Sequence, residues 1–528
     1  MRRLLNCHGH ILEEQPAQWS GFAVDDNGIE ITFPAAADGW VLDTIIWKLS
    51  DPLLANELSQ LGIIETQGYF LLGSHTRYDR PADLYRHLIH GFVYEDRYAW
   101  PHKRRICSEN DAHALHLVFC GLQRATGKRI YRLLQDQLLL SVLSRQSEDG
   151  GFRHGEWSDG MESHFRLHCS AMHLMMDALG DRGDTAVTEA LRRAAQFIAD
   201  KHDRTSVGVW FYHDELECSA DGMARGPFRW WPGTALGKAR QNMLVLNTHL
   251  GALIALDRYR RLSGDGRFTT LVDSGFEAAW AVLALRPMEW LYRILFSAID
   301  LTLLPTAQAA ALPAWKRMWK RIGWKVFVPW LPRIKTRYPR LTMPGGYVDR
   351  ELSLQGWAHD YLAVNLMDLV RAADGNRRAI FGPFVEGIVA YCTRTRIAVR
   401  WLEQAPRAYA VGFLAEAMYL LCRQQSRAEF DAMLADSLVL CARHSLGLPP
   451  SLLGANGEAQ EVRAGRLPQG AQPGIVVADL SRNDRVACLI VNTGTRSLEL
   501  PEALAPLSEG WQVPSRELAP GGWIRVEQ

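Results

Sequence analysis

Apolar and polar positions follow two different periods along the chain. Near the N-terminus, GFAV and IEITF flank Asp25-Asp26-Asn27-Gly28. An Asn-Gly step between alternating apolar runs predicts a β-hairpin. From about residue 76 to 445 the apolar positions recur at helical spacing. From about residue 473, GIVVADL and RVACLIVNTG read as strands again, and the broken alternation in RVACLIV predicts a strand buried on both faces. The pattern therefore predicts a mostly α chain in three parts: an N-terminal β-hairpin region and lead-in over 1–75, a helical domain over 76–445, and a C-terminal β domain over 446–528.

The helical part repeats. Five segments share one outline, polar residues followed by an apolar helix and then a polar or Gly-containing turn. They begin at Glu109-Asn110, Glu162-Ser163-His164, Gln241-Asn242, His359-Asp360-Tyr361 and Arg407-Ala408-Tyr409. The step from Glu109 to Glu162, and from His359 to Arg407, is about 50 residues, the length of a two-helix hairpin and the signature of a helical array. Second helices such as TAVTEALRRAAQFIADKHD lie between.

With these segments, residues 76–445 resemble the α/α toroid, the six-hairpin superfamily of glycoside hydrolases, polysaccharide lyases and glucuronyl epimerases. The resemblance implies inner and outer rings of helices, and some such lyases carry a C-terminal β domain. Gln146 to Phe152 (QSEDGGF) is also similar to the Q-x-x-D-G-G-aromatic turn of terpene cyclases, another toroid group, but no DDxxD or DxDD occurs.

If the inner helices run parallel, their N-termini share one rim. That rim would gather Asn110, His113, Glu162, His164, Asn242, His359, Asp360, Arg407 and Tyr409. Helix N-termini favour anions through free N–H groups and the positive dipole end. N-capping accounts for an isolated Asn or Asp, but not for His, Tyr, Arg and Glu gathered beside them. In HGEWSDGMESHFRLH, Glu156, Asp159 and Glu162 sit near His154, His164 and His168. Two carboxylates across a cleft fit glycosidase chemistry. A His or Tyr base beside a group that neutralises a uronate fits β-elimination or epimerisation, where the proton next to a carboxylate is removed. Lyases of the toroid type use an Asn for neutralisation and a His as base; in Asn247-Thr248-His249 the two would point nearly opposite ways on a helix, whereas Asn242 and His249, seven apart, share a face and are the better pair. Glu162 is thus the expected acid/base, and His164, His249, His359 and Asp360 the further catalytic candidates. Trp210, Trp230, Trp231, Trp357 and Tyr361 are expected to bind sugar, with Tyr212, His213 and Asp214 as further loop candidates. Eighteen Trp in 528 residues suit sugar stacking.

Between Leu301 and Val348 there is no Asp or Glu. On a helix from Ala314 to Val326, Trp315, Met318, Trp319, Ile322 and Val326 fall on one side, and Lys316, Arg317, Lys320 and Arg321 on the other. This insertion, about 286–345, has the pattern of a helix lying on an anionic membrane. The competing assignments are a solvated basic face and a wall for an anionic glycan.

A net charge of +1 supplies no global attraction for nucleic acid. The odd, widely spaced Cys and the lack of an apolar leader lead to the expectation of a cytoplasmic protein, peripheral on the inner face of a membrane. No Walker A, GxSxG or HExxH occurs, so no cofactor or metal is expected. The combined expectation is an enzyme acting on an anionic or lipid-linked glycan by lytic or hydrolytic cleavage or uronate epimerisation. The alternatives are a non-catalytic glycan- or lipid-binding component of a polysaccharide assembly complex and a terpene-cyclase-like toroid.

Overall fold

The fold comes from a computed structural model, which describes residues 2–5, 11–26, 28–35, 37–42, 49, 51–80, 84, 108–154, 157–158, 162–180, 183–456, 472–482, 485–500 and 516–527. The chain forms two compact units. One is Met1–Ser59 with Pro81–Cys107, and the other is Gln60–Arg80 with Ser108–Gln528. In the first unit, strands Gly21–Asp25 and Gly28–Thr32 pair as the expected hairpin, with Asp25 opposite Gly28. Gly28 has φ +146°, which a side chain would resist, and its N–H bonds to Asp25 Oδ1 at 3.0 Å. Asn27 lies outside the described residues.

In the second unit, among the described residues, ten helices form five hairpins. They are α1 Glu109–Thr126 with α2 Ile130–Leu143, α3 Phe165–Leu179 with α4 Thr185–Ala199, α5 Leu246–Ser263 with α6 Thr269–Ala284, α7 Tyr361–Ala372 with α8 Arg378–Thr395, and α9 Tyr409–Gln424 with α10 Ala428–Arg443. The odd-numbered helices are those of the five repeated segments. Each packs on its hairpin partner, and α1, α3, α5, α7 and α9 pack on one another in succession. The sequence explains which helix goes inside. α9 is buried at every position from Ala410 to Arg423, as a helix apolar all round must be. α4 instead buries one stripe, Val187, Ala190, Leu191, Ala194 and Ile198, and turns Glu189 and Arg192 to solvent. Caps set the ends: Ser108 accepts from Asp111 N at α1, Asp184 from Ala186 N at α4, and Gly127 and Gly264 end α1 and α5 with positive φ.

Among the described residues, no sixth hairpin stands between α9 and α1. Residues 70–72 and 451–453 fill that place. Gly412 of α9 lies so close to Phe70 that a Cβ would come within 2.7 Å of its ring, and Gly121 of α1 is as tight against Leu453. Asn110 donates to Leu72 O at 3.0 Å, and Ser451 Oγ donates to Glu416 Oε1 at 2.5 Å. Among the described residues the architecture is thus an α/α toroid of five hairpins plus a non-helical wedge. The turn Gln146–Phe152 is structural: Gly150 has φ +90°, and Gln146 Nε2 donates to Ala190 O of α4 at 2.7 Å.

Strands Ile475–Asp479, Ala487–Asn492 and Trp523–Glu527 form an antiparallel sheet with Ala487–Asn492 in the middle, buried at all its positions as the broken alternation predicts. Arg525 ties the sheet to Asp431 of α10 at 2.7 Å. Between α6 and α7 lies the basic insertion, with helices Glu289–Thr302, Ala314–Ile322 and Val328–Arg337. The regular helix expected to reach Val326 stops at Ile322, because Gly323–Phe327 form a wider π turn where Gly323 is pressed against Ala298. Within that turn Trp324 and Val326 face outward, whereas Trp319, in the helix before it, donates to Ser297 Oγ.

Replacing Gly412 with Val should test the wedge. Overpacking against Phe70 is expected to lower the unfolding free energy by about 1–3 kcal/mol, read by denaturant titration. Gly356→Ala, where a Cβ meets nothing within 4 Å, should be close to neutral.

Candidate functional site at the rim of inner-helix N-termini

The first residues of the inner helices are joined by one chain of polar contacts. Glu109, at the start of α1, takes Arg145 at 2.7 Å on one oxygen and His154 Nε2 on the other. Burial raises its carboxyl, but Arg145 and His154 outweigh that and hold it at about 2. His154 Nδ1 in turn accepts the backbone N–H of His164, the residue preceding α3, at 3.1 Å. Because Nδ1 accepts, the hydrogen of neutral His154 sits on Nε2, toward Glu109.

His164 is placed by a short ladder. Ser163 N donates to Glu215 Oε2, and Glu215 N to Ser163 O, both at 3.0 Å, and Phe165 N donates to His213 O at 3.2 Å. This sets the His164 and His213 rings edge to face, with centroids 4.5 Å apart. His213 Nδ1 bonds to Asp214 Oδ2 at 2.8 Å, and its Nε2 meets Arg350 Nη2 at 3.2 Å. A guanidinium only donates, so Nε2 is the acceptor and Nδ1–H donates to Asp214. Asp214 is itself fixed by the N–H groups of Leu216 and Glu217. Glu217 accepts from the N–H groups of His213 and Met243. Burial, then the Asp214 charge, push Glu217 up to about 8, so it is an acid held neutral beneath the pair.

Arg350 reaches the rim because residues 349–353 cross the start of α5: Leu246 N donates to Arg350 O at 2.8 Å, and Val245 bridges to Glu351. Asp349 is neutralised by the buried Lys335 at 2.6 Å, while burial raises Glu351. The Arg350 guanidinium lies 3.9 Å from the ring centroid of Tyr361, the first residue of α7. Beyond it, Asp360 accepts from Tyr409 OH and lies 3.8 Å from Arg407, and Tyr409 stacks on His75 at 3.9 Å. Trp157 and Phe228 wall the His side, 5.5 Å apart, with Phe228 6.0 Å from His213.

The rim therefore unites His164, Asp360, Tyr361, Arg407 and Tyr409 from the sequence-predicted set, together with His213 and Asp214. The other candidates lie elsewhere. Glu162 is buried, and it binds its own loop through the N–H groups of Trp157 and Ser158 and Ser158 Oγ at 2.6 Å. Its carboxylate is thereby committed to shaping the loop. Glu156 and Asp159 lie outside the described residues. Asn110 and His113 point into the ring, to Leu72 O and to Asp177 at 2.9 Å. Asn242 binds Asp203 and the N–H of Leu244. His249 is a core residue: Nδ1 accepts from Phe211 N at 3.1 Å, Nε2 donates to Gly275 O at 3.0 Å, and Trp210 stacks on it at 4.0 Å. Both members of the Asn242–His249 pair are thus occupied in holding backbone. His359 accepts from Trp401 Nε1 at 3.0 Å, and burial, aided by Arg407, drives it down to about 3. His168 donates to Ala194 O inside the α3–α4 hairpin, away from any ligand set with His164. Trp230 packs on Met223, Met243 and Val245, Trp231 lies under Arg333, and Trp357 contacts Tyr347 and His359. Arg350 and Glu217 were not foreseen. Both lie in short charged stretches, Asp349-Arg350-Glu351 and His213-Asp214-Glu215-Leu216-Glu217, and charge in sequence does not distinguish a buried group from an exposed one.

Among the described residues, no group of three or more His, Cys, Asp or Glu is placed to hold a metal ion. The seven described cysteines are free.

Burial lowers His249 from 6.5 to about 3, so folding requires its neutral form. Its stabilisation is complete above pH 6.5 and is lost as the pH falls toward 3. Between pH 6.5 and pH 5 this one group should remove about 2 kcal/mol of stability. His249→Phe should flatten the pH dependence of the unfolding free energy by that amount in denaturant titrations at the two pH values.

No family model matches the chain, and no curated protein does. Among solved structures it is similar to a D-mannose isomerase, at 10% identity and a TM-score of 0.37 over 68% of this chain and 89% of that one. It is also similar to the cellobiose 2-epimerase of Spirochaeta thermophila, at 12% identity and a TM-score of 0.26 over 54% of this chain and 73% of that one.

Proposed function

We propose that the rim moves a proton on a sugar, at the carbon next to a carbonyl or carboxylate group. The observation that carries this reading is the His164–His213 pair with Arg350 on the free nitrogen of His213. Epimerisation or isomerisation needs one group to take a proton and a second to return it. Two imidazoles 4.5 Å apart suit those roles, and Asp214 fixes the tautomer of one of them. A guanidinium beside them would hold the carboxylate or the oxyanion that develops when the proton leaves. When Arg350 turns to that anion, the Nε2 lone pair of His213 is released to act as base. Trp157 and Phe228 offer faces for the sugar ring. Paired carboxylates for hydrolysis are less well supported, since Glu162 is committed to its loop. β-Elimination would use the same base and the same Arg, and differs only in the fate of the leaving group.

The test is incubation with aldoses, ketoses and uronate-containing oligosaccharides in D2O, followed by NMR. Deuterium at the carbon beside the carbonyl or carboxylate, without cleavage, is the expected result. An unsaturated uronate absorbing in the ultraviolet would mean elimination. His213→Asn and Arg350→Met should each lower turnover by about 10²–10⁴-fold, with His249→Phe near wild type. No exchange with any sugar, or full turnover in both rim variants, would remove the catalytic reading and leave a binding protein.

We further propose that the insertion docks this enzyme on an anionic bilayer surface. Trp290, Trp315, Met318, Trp324 and Trp330 are all exposed, Trp315 and Met318 by more than 60%. Lys316, Arg317, Lys325 and Arg333 stand among them. Aromatic rings at headgroup depth with cations beside them match such a surface in both polarity and charge. Trp319 packs inward and takes no part. Among the described residues no single helix is long and apolar enough to cross a membrane. Each cation near anionic lipid contributes about 1 kcal/mol. Co-sedimentation with phosphatidylserine vesicles should therefore be strong at low salt, weak at high salt, and lost when Lys316, Arg317, Lys320 and Arg321 become Glu. Equal sedimentation of wild type and variant, or of neither, would refute docking.

A further inference from the structure

The opposite end of the ring gathers more guanidinium groups than carboxylates among the described residues. A cavity of about 320 Å³ opens where α5, α7 and α9 end, and seven guanidinium groups line it against two carboxylates. Basic residues at helix C-termini ordinarily complement the dipole and bind neighbouring acids. Most of these do: Asp257 takes Arg260 and Arg377, each at 2.7 Å, and Arg261 at 3.5 Å. Arg482 binds Asp374 at 2.6 Å, Arg371 binds Asp368 at 3.1 Å, and Arg258 binds Asp177.

Arg423, in the last turn of α9, does not fit that account. It is 1% exposed, and its one hydrogen bond is Nη2 to Ser481 O at 3.3 Å. Nε and Nη1 are buried without a hydrogen-bond partner among the described residues, and no ion pair joins it there. A guanidinium cannot shed its proton, and a buried charge without a counter-charge is strongly unfavourable.

An oxyanion in the cavity would supply the acceptor and the counter-charge that the Arg423 guanidinium lacks among the described residues.

We propose that this cavity binds a phosphorylated or sulfated small molecule through its tetrahedral oxyanion, at a site separate from the rim. Three helix C-termini converge there, and their carbonyl ends repel anions. The surplus arginines overcome that repulsion and give forked donors to a tetrahedral group. The volume accommodates an oxyanion and a sugar-sized remainder.

Titration calorimetry and thermal-shift measurements on the full chain would use inorganic phosphate, sulfate, glucose 6-phosphate, glucuronate and glucose, at constant ionic strength with chloride. Saturable binding of phosphate or glucose 6-phosphate is expected, with none for glucose. Tighter binding of the sugar phosphate than of phosphate identifies a phosphosugar, and equal affinity identifies the free anion; either supports the site. Arg423→Met should weaken it at least 10-fold, and without anion this variant should melt no lower than wild type. Arg482→Gln, which leaves Asp374 uncompensated at the cavity, should also weaken it and serves if Arg423→Met fails to fold. His213→Asn at the rim should bind the anion as wild type does, so the two sites fail or succeed independently. Absence of saturable oxyanion binding, or unchanged affinity in both Arg variants, would overturn the proposal.

Discussion

Burial of five helices on every side is the constraint from which the rest follows. A helix surrounded by protein satisfies its own backbone only in the middle, and polar groups inside it, such as Glu416 and His249, need partners from neighbouring elements, so its free polar capacity lies at its two ends. In α9 the buried stretch runs without a break from Ala410 to Arg423, so Tyr409 and Arg423 mark the two places where chemistry enters. The same holds around the ring, where Glu109, His164 and Tyr361 stand at one end and Arg260, Arg371 and Arg423 at the other. The two ends acquire different characters. The N-terminal rim is balanced, each cation facing an acid or an aromatic ring. The C-terminal end is cationic.

Within the rim, low solvent content makes neighbours decide protonation. Glu109 and Glu217 are both buried carboxyls on the same network, yet one is held at about 2 and the other is raised to about 8. Arg145 and His154 meet the first, whereas at the second burial and the Asp214 charge outweigh two backbone N–H donors. Environments that push similar groups apart allow one site to hold an acid and a base at the same pH.

The ring was legible from the sequence because its signal is repeated: each of the five polar-then-apolar segments became an inner helix, and the broken alternation of RVACLIV became a fully buried strand. The wedge between α9 and α1 was not legible, since Phe70–Leu72 and Ser451–Leu453 have no periodicity and meet only in three dimensions. At the site, residues immediately at helix starts were readable, as with His164, Tyr361 and Tyr409. Spacing failed for Asn242 and His249: residue order gives the face of a helix, but not whether backbone from a neighbouring hairpin, here Phe211 and Gly275, already occupies it. Arg350 was hidden because the strand-like crossing that carries it, from Asp349 to Ser353, is fixed by pairing with Val245 and Leu246, about 100 residues earlier.

The non-helical wedge also sets an order of events during synthesis. Leu72 and Leu453 must both be present before the gap between α9 and α1 can fill, and nearly the whole helical array is translated between them. At about 5–20 residues per second, the hairpins wait on the order of tens of seconds as an unclosed arc. For that interval the face of α1 around Gly121 lacks the Leu453 cover it has in the finished fold, and apolar surface that is later buried stays open to other partners.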